Sequence, residues 1–114
     1  MLNQVILIGR IAHDPELKTL EDGRKVSEIS LAVQRAFKNL DGEYDCDFIK
    51  IVLWEGLATS TENYCKKGTM IAVKGRLQTW KKELDDDAKL NMLEVIGERI
   101  TYLQNSKVKE PHQE

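Results

Sequence analysis

The stretch that most restricts how this chain can fold is Phe48-Ile49-Lys50-Ile51-Val52-Leu53-Trp54. Successive side chains of a strand leave opposite faces. One face is then Ile49, Ile51 and Leu53, all aliphatic, which reads as core. The other is Phe48, Lys50, Val52 and Trp54: two flat rings bracketing a cation. An ordinary solvent face would carry Thr, Ser or Glu. Rings stack on bases and a cation meets phosphate, so this face suits a single-stranded nucleic acid. A strand buried on both sides, with Lys50 reaching water along its own stem, gives the same pattern. The remaining strands decide between the two.

Asn3 to Ile11 alternates Val5, Leu7, Gly9 and Ile11 with Ile6 and Ile8, so it is apolar on both faces. Both sides are expected to be covered, one by the core and the other by a second copy of the chain. Gly9 inside the strand signals a bulge or a close backbone approach. Pro15 ends this segment, having no N–H for a ladder. Asp22-Gly23 marks a turn, and Val26 to Phe37 follows as a half-buried strand with Ile29, Leu31 and Val33 inward. Arg35 and Phe37 continue that face past the last core residue, as in a strand that overshoots its barrel. Asp41-Gly42 closes a long hairpin onto Tyr44–Trp54.

Leu57 to Lys67 reads as one short helix, with Leu57, Tyr64 and Cys65 sharing a face and Gly68 as its C′ cap. Lys66 and Lys67 there can serve the helix dipole or meet DNA. Thr69 to Trp80 is a fourth strand. Its core face is Ile71, Val73, Gly75 and Leu77, and its opposite face is Lys74, Arg76, Gln78 and Trp80, extended by Lys82. Two strands therefore share an outer face of cations and aromatics. Glu83 to Lys89 is an acidic hairpin tip. Leu90 to Leu103 is the last strand, with Leu93 and Val95 inward and Glu94 and Glu98 outward.

The expected fold is all-β: a five-stranded OB-fold barrel with one short helix between strands 3 and 4, a fold that commonly binds oligonucleotides. A chain of 114 residues with 41% hydrophobic and 32% charged residues makes one domain with a core. The domain is expected over residues 1–104, with residues 105–114 as a disordered polar tail. No apolar run nears the roughly 20 residues of a membrane span, and Met1-Leu2-Asn3-Gln4 lacks the basic start of a signal peptide. A cytoplasmic protein without membrane contact is expected, with Cys46 and Cys65 as reduced thiols. A net charge of −2 argues against coating nucleic acid by bulk charge but permits a local basic groove. No thiol, His or carboxylate set converges as a catalytic centre, and no ligand spacing suits a metal, so neither enzyme, metal nor cofactor is expected.

The chain resembles the DNA-binding domain of bacterial single-stranded DNA-binding proteins. The matching segments are Asn3-Gln4-Val5-Ile6-Leu7-Ile8-Gly9-Arg10 with Asp14-Pro15-Glu16, Ile29-Ser30-Leu31-Ala32-Val33, Phe48 to Trp54, Tyr64-Cys65-Lys66-Lys67-Gly68 and Val73-Lys74-Gly75-Arg76-Leu77-Gln78-Thr79. Their order and spacing carry the resemblance over about residues 2 to 103. It implies a homotetramer of OB-folds that wraps single-stranded DNA with little sequence preference, in replication, recombination, repair or DNA uptake. Stacking aromatics fall on Phe37, Phe48 and Trp54. A further tryptophan of the family falls at Lys82, where this chain departs, and Trp80 is expected to substitute. Phosphate contacts are expected from Arg10, Lys18, Arg35, Lys50, Lys66, Lys67, Lys74, Arg76 and Lys82. Val5, Ile6, Ile8 and Ile49 are the expected oligomer interface. The family's acidic C-terminal tip, which recruits protein partners, is not matched by Pro111-His112-Gln113-Glu114. An alternative is an OB-fold used mainly for protein contacts, such as a primosome component, which would lose the stacking face.

Overall fold

The structure, a computed structural model, describes residues 1–85 and 88–104. The tail expected over residues 105–114, and two residues of the acidic tip, lie outside the described residues. The chain runs β1 (Val5–Ile11), β2 (Lys18–Thr19), β3 (Lys25–Lys38), β4 (Tyr44–Trp54), α1 (Glu55–Tyr64), β5 (Met70–Glu83) and β6 (Lys89–Gln104). The strand order is β1-β5-β6-β4-β3-β2, and a further β1–β3 pairing closes the sheet on itself. Five long strands thus form the expected barrel, with α1 between the third and fourth of them. The two-residue β2 has no apolar pattern to announce it and arises as the partner of Lys25 and Val26 across the Asp22-Gly23 turn.

Period-2 alternation builds the interior. Ile29, Leu31, Ile51, Leu53, Ile71 and Val73 are fully buried, joined by Ile11 and Val95. Val5, Leu7, Ile49 and Ile100 pack half-buried against them. The helix contributes Ala58, Thr61 and Cys65, all buried, with Leu57 beside them. Here the expected face is corrected. Leu57, Thr61 and Cys65 follow i, i+4, i+8 spacing, which leaves Tyr64 outside, 54% exposed and against the ring of Tyr102 at 6.1 Å.

The helix also ends earlier than expected. Cys65 is already extended, at φ −123°. Lys66 to Thr69 form a separate turn, in which the Thr69 N–H donates to the Lys66 carbonyl at 3.0 Å and the Lys66 N–H donates to Thr69 Oγ1 at 3.0 Å. Gly68, at φ +94°, belongs to this turn and donates its N–H to the Ile11 carbonyl at 2.8 Å. It lies three residues past the helix C-cap, Cys65, and so is not the C′ cap, and no basic residue lies in the helix's last turn. A hydroxyl and a strand carbonyl supply partners that a continued helix would have to forgo.

Two hairpins outrun the barrel. Leu77 and Leu93 keep the inward alternation of β5 and β6, yet are 41% and 64% exposed. Among the described residues no facing strand covers them, so the expected burial of both is corrected. At the seam, a Cβ on Gly9 would land on the Ala32 carbonyl, and one on Gly75 on the Ile96 carbonyl. Gly9 is the close backbone approach that its place in β1 suggests. Gly9→Ala should cost about 1–3 kcal/mol or more, the usual range for overpacking. Gly56→Ala, in the helix with nothing within 4 Å, should be neutral or mildly stabilising. Urea unfolding of both variants checks this; equal midpoints would remove the role assigned to the seam.

Candidate nucleic-acid interface

Residues opposed across a ladder share a face, so register shows which side chains meet. On the outer face of β3 and β4 the pairs are Val26 with Trp54, Glu28 with Val52, Ser30 with Lys50, and Ala32 with Phe48. Lys18 of β2 lies across from Val26, and Arg10 of β1 lies across from Ala32. One face therefore carries Lys18 beside Trp54 at one end and Arg10 beside Phe48 at the other. Six residues at about 3.3 Å each put some 20 Å between the two rings. The parallel β4–β6 pairing sets Val52 beside Ile96, and Ile96 opposes Arg76 of β5. From Arg76 the same alternation leads along the protruding hairpin to Gln78, Trp80 and Lys82. The outer face thus extends from β2 to β5 without a break.

Exposure along this face varies. Phe37 and Phe48 are 85% and 68% exposed, the greatest values among the described aromatics, and Trp80 is 43% exposed. Phe37 lies in the register shift between Gln34 and Lys38, so its side is set by that irregularity and not by simple alternation. Trp54 is half-buried and covered by Arg24, whose guanidinium carbon is 5.0 Å from the ring centroid. Arg24 is in turn held by Asp22, Nε to Oδ2 at 2.8 Å. The backbone N–H and side chain of Arg24 keep the Asp22 carboxyl below the usual carboxylate range. Trp54 is also fixed from its own backbone. The next residue, Glu55, has φ +51°, a left-handed conformation uncommon outside glycine, and its carboxylate accepts the Lys25 N–H at 2.7 Å.

Three of the expected phosphate contacts already face carboxylates. Arg35 holds Asp47 through Nε and Nη2, the shortest contact being 2.8 Å. Lys50 lies 3.7 Å from Glu28, and Arg76 lies 3.1 Å from Glu98. The hydrogen bonds from Arg35 lower the Asp47 pKa and raise that of Arg35. A lowered carboxylate pKa means that the pair persists from neutral pH down to that value and is lost only below it. Among the described residues, no carboxylate lies within ion-pair distance of Lys18, Lys66, Lys67, Lys74 or Lys82. Arg10 donates to the Gly68 carbonyl at 2.9 Å, and the Lys67 N–H donates to Asp14 Oδ1 at 2.8 Å, so Arg10, Lys66 and Lys67 cluster where β1 ends. Lys74, two residues before Arg76 on β5, continues the same outer face toward β1. Its neighbours across the ladders are Ile6 and Arg99. Of the expected interface residues, Ile6 and Ile8 are 62% and 55% exposed, whereas Val5 and Ile49 pack against the core.

Arg24, Asp22 and Glu28 belong to this face and carry no motif of their own. Arg24 follows a turn, and only the pairing of Val26 with Trp54 brings it over the ring. Comparison with known proteins now adds to this geometry: the model of the single-strand binding protein family matches residues 2–103.

The chain belongs to the single-strand binding protein family. It is 37% identical over 103 residues to single-stranded DNA-binding protein B of Bacillus subtilis, covering 90% of this chain and 91% of that protein. It is 42% identical to a single-stranded DNA-binding protein of Bacillus cereus, covering 91% of this chain but only 61% of that one. The fold matches a crystal structure of a deletion mutant of the single-stranded DNA-binding protein from Thermus aquaticus, with TM-score 0.74 and 29% identity over 92% of this chain and 52% of that one.

For Arg35 to meet phosphate, as expected of it, it must leave Asp47. Asp47→Asn removes the charge that holds Arg35. Binding to single-stranded DNA should then tighten, and the log–log salt slope should steepen by about 0.7, the increment for one more phosphate. Titrations at three salt concentrations measure both; an unchanged slope would show that Arg35 does not reach the backbone.

Proposed function

We propose that this chain binds single-stranded DNA with little sequence preference and without catalysis, stacking bases on Phe37, Phe48, Trp54 and Trp80. The observation that carries this reading is the single outer face on which Phe48, Trp54 and Trp80 lie among cations drawn from four strands, β1, β2, β4 and β5. Stacking is worth about 1–3 kcal/mol per base by truncation and tolerates any base, since each has a π-face. Lys18, Lys66, Lys67 and Lys82 meet phosphate directly. Arg35, Lys50 and Arg76 do so by exchanging a carboxylate for it, and each such exchange returns less than a contact made from water.

The exposed Ile6 and Ile8, next to Lys74, form an apolar strip that a second copy would cover, and a tetramer is the assembly the family resemblance suggests. The names of the relatives support the DNA ligand. The cytoplasm, where single strands arise in replication, recombination, repair or uptake, is the proposed place of action. Among the described residues no helix is long and apolar enough to cross a membrane.

The test is a titration with oligo-dT of about 35–70 nucleotides, long enough for several OB-folds at about 4–16 nucleotides each. Fluorescence reports on Trp54 and Trp80, the chain's two tryptophans. Quenching by the single strand and not by duplex is expected; no binding at low salt would overturn the reading and favour an OB-fold for protein contacts. Trp54→Ala should weaken binding by about 1–3 kcal/mol at moderate salt. Lys50→Ala should weaken it less, because its ammonium is shared with Glu28. The reverse order would mean that charge, not stacking, dominates.

A further inference from the structure

A cavity of about 370 Å³ opens on the outer face between the β1–β2 loop and the β3–β4 ladder, lined by His13, Glu16, Lys18, Val26, Glu28 and Val52. Its size lies near the small end of ligand sites, about 300–1,000 Å³. Its place is notable for what adjoins it. Val26 opposes Trp54, and Glu28 opposes Val52 one rung further on, before Lys50 and Phe48 are reached. The cavity therefore lies within the span between the two rings of β4, where a strand stacked on both would have to pass.

The lining divides by chemistry. Val26 and Val52 supply an apolar floor, and Val52 is only 7% exposed. His13 has both ring nitrogens engaged. Nε2 accepts the Ser30 N–H at 3.2 Å, and Nδ1 faces the Asp14 carbonyl at 3.1 Å. A carbonyl can only accept, so the proton is on Nδ1, and the imidazole pins the loop and offers the cavity no polar atom. Recognition is left to Glu16, Glu28 and Lys18. Two carboxylates accept hydrogen bonds and one ammonium donates. Lys18 and Lys50, which is 3.7 Å from Glu28, balance the two negative charges, so a polyanion is not repelled from the rim.

We infer that this cavity is a base subsite that favours bases bearing an exocyclic amino group, cytosine over thymine among the pyrimidines. The inference rests on the single-stranded DNA reading above. Cytosine offers its amino N–H₂ to a carboxylate and its ring carbonyl to Lys18. Thymine has one ring N–H flanked by two carbonyls, and at least one of these would face a carboxylate oxygen, acceptor against acceptor. The valine floor takes either ring, so discrimination comes from the rim. The chain binds any single strand through its aromatics, and this one position adds a bias in base composition.

The test compares dissociation constants for oligo-dC and oligo-dT of about 35 nucleotides in the wild-type protein, in the Glu16→Gln/Glu28→Gln double variant and in Val26→Phe. The readout is the ratio Kd(dT)/Kd(dC). In the double variant the ratio should fall about three- to tenfold, the worth of roughly one hydrogen bond to a charged acceptor at a half-open site. Release of Lys50 from Glu28 strengthens both oligonucleotides alike and cancels in the ratio. Val26→Phe fills the floor and should lower the ratio as well, while retained oligo-dT binding shows that the variant is folded. Ratios unchanged within twofold in both variants, with wild-type binding intact, would overturn the subsite and leave the DNA reading standing. Absence of wild-type binding to either oligonucleotide would overturn both.

Discussion

The register between β3 and β4 is the constraint on which the rest of this molecule depends. From Val26 opposite Trp54 to Gln34 opposite Cys46 the ladder runs without a shift. Its inward pairs, Ile29 with Ile51 and Leu31 with Ile49, anchor the core. Its outward pairs set Trp54, Lys50 and Phe48 in a line. A slip of one residue would exchange the two sets, burying a lysine and exposing isoleucine. Core and outer aromatic face are thus one constraint viewed from two sides. The hydrophobic gain of several fully buried Ile and Leu side chains, about 1.5–3 kcal/mol each, holds the aromatics in place.

Electrostatics on that face are more balanced than its cations alone suggest. Lys50 and Arg76 each sit with a carboxylate, and Arg24 with Asp22 covers part of Trp54, while Arg35 is held by Asp47 on the core-side parity of the β3–β4 hairpin. Such exposed pairs add little to stability, and on the proposed binding mode a phosphate would have to displace a partner already present. The net charge of −2 is the global counterpart of this local pairing. The proposed binding by such a face leans on stacking, which neither salt nor paired carboxylates weaken much.

The core was legible because burial on one side of a strand leaves a period of two, and every fully buried strand residue obeys it. Misreadings arose where alternation continues but its cause stops. Leu77 and Leu93 keep inward parity on hairpin arms that no further strand among the described residues covers. Tyr64 was assigned to the helix face by a seven-residue spacing, although packing chose the i, i+4, i+8 row through Thr61. Gly68 has the composition of a helix cap, but the carbonyl of Ile11 claims its N–H from a strand distant in sequence.

By itself the sequence determined the barrel's strands and the two-faced character of β4, since each is a local pattern in one segment. Only the tertiary structure decided which segments meet: Arg24 over Trp54, Asp47 on Arg35, Lys74 across from Ile6, and the cavity between Glu16 and Glu28. These depend on ladder register and on a loop pinned by His13 to Ser30. Contacts between residues far apart in the chain leave no periodicity in it, because barrel closure sets them and the local pattern does not.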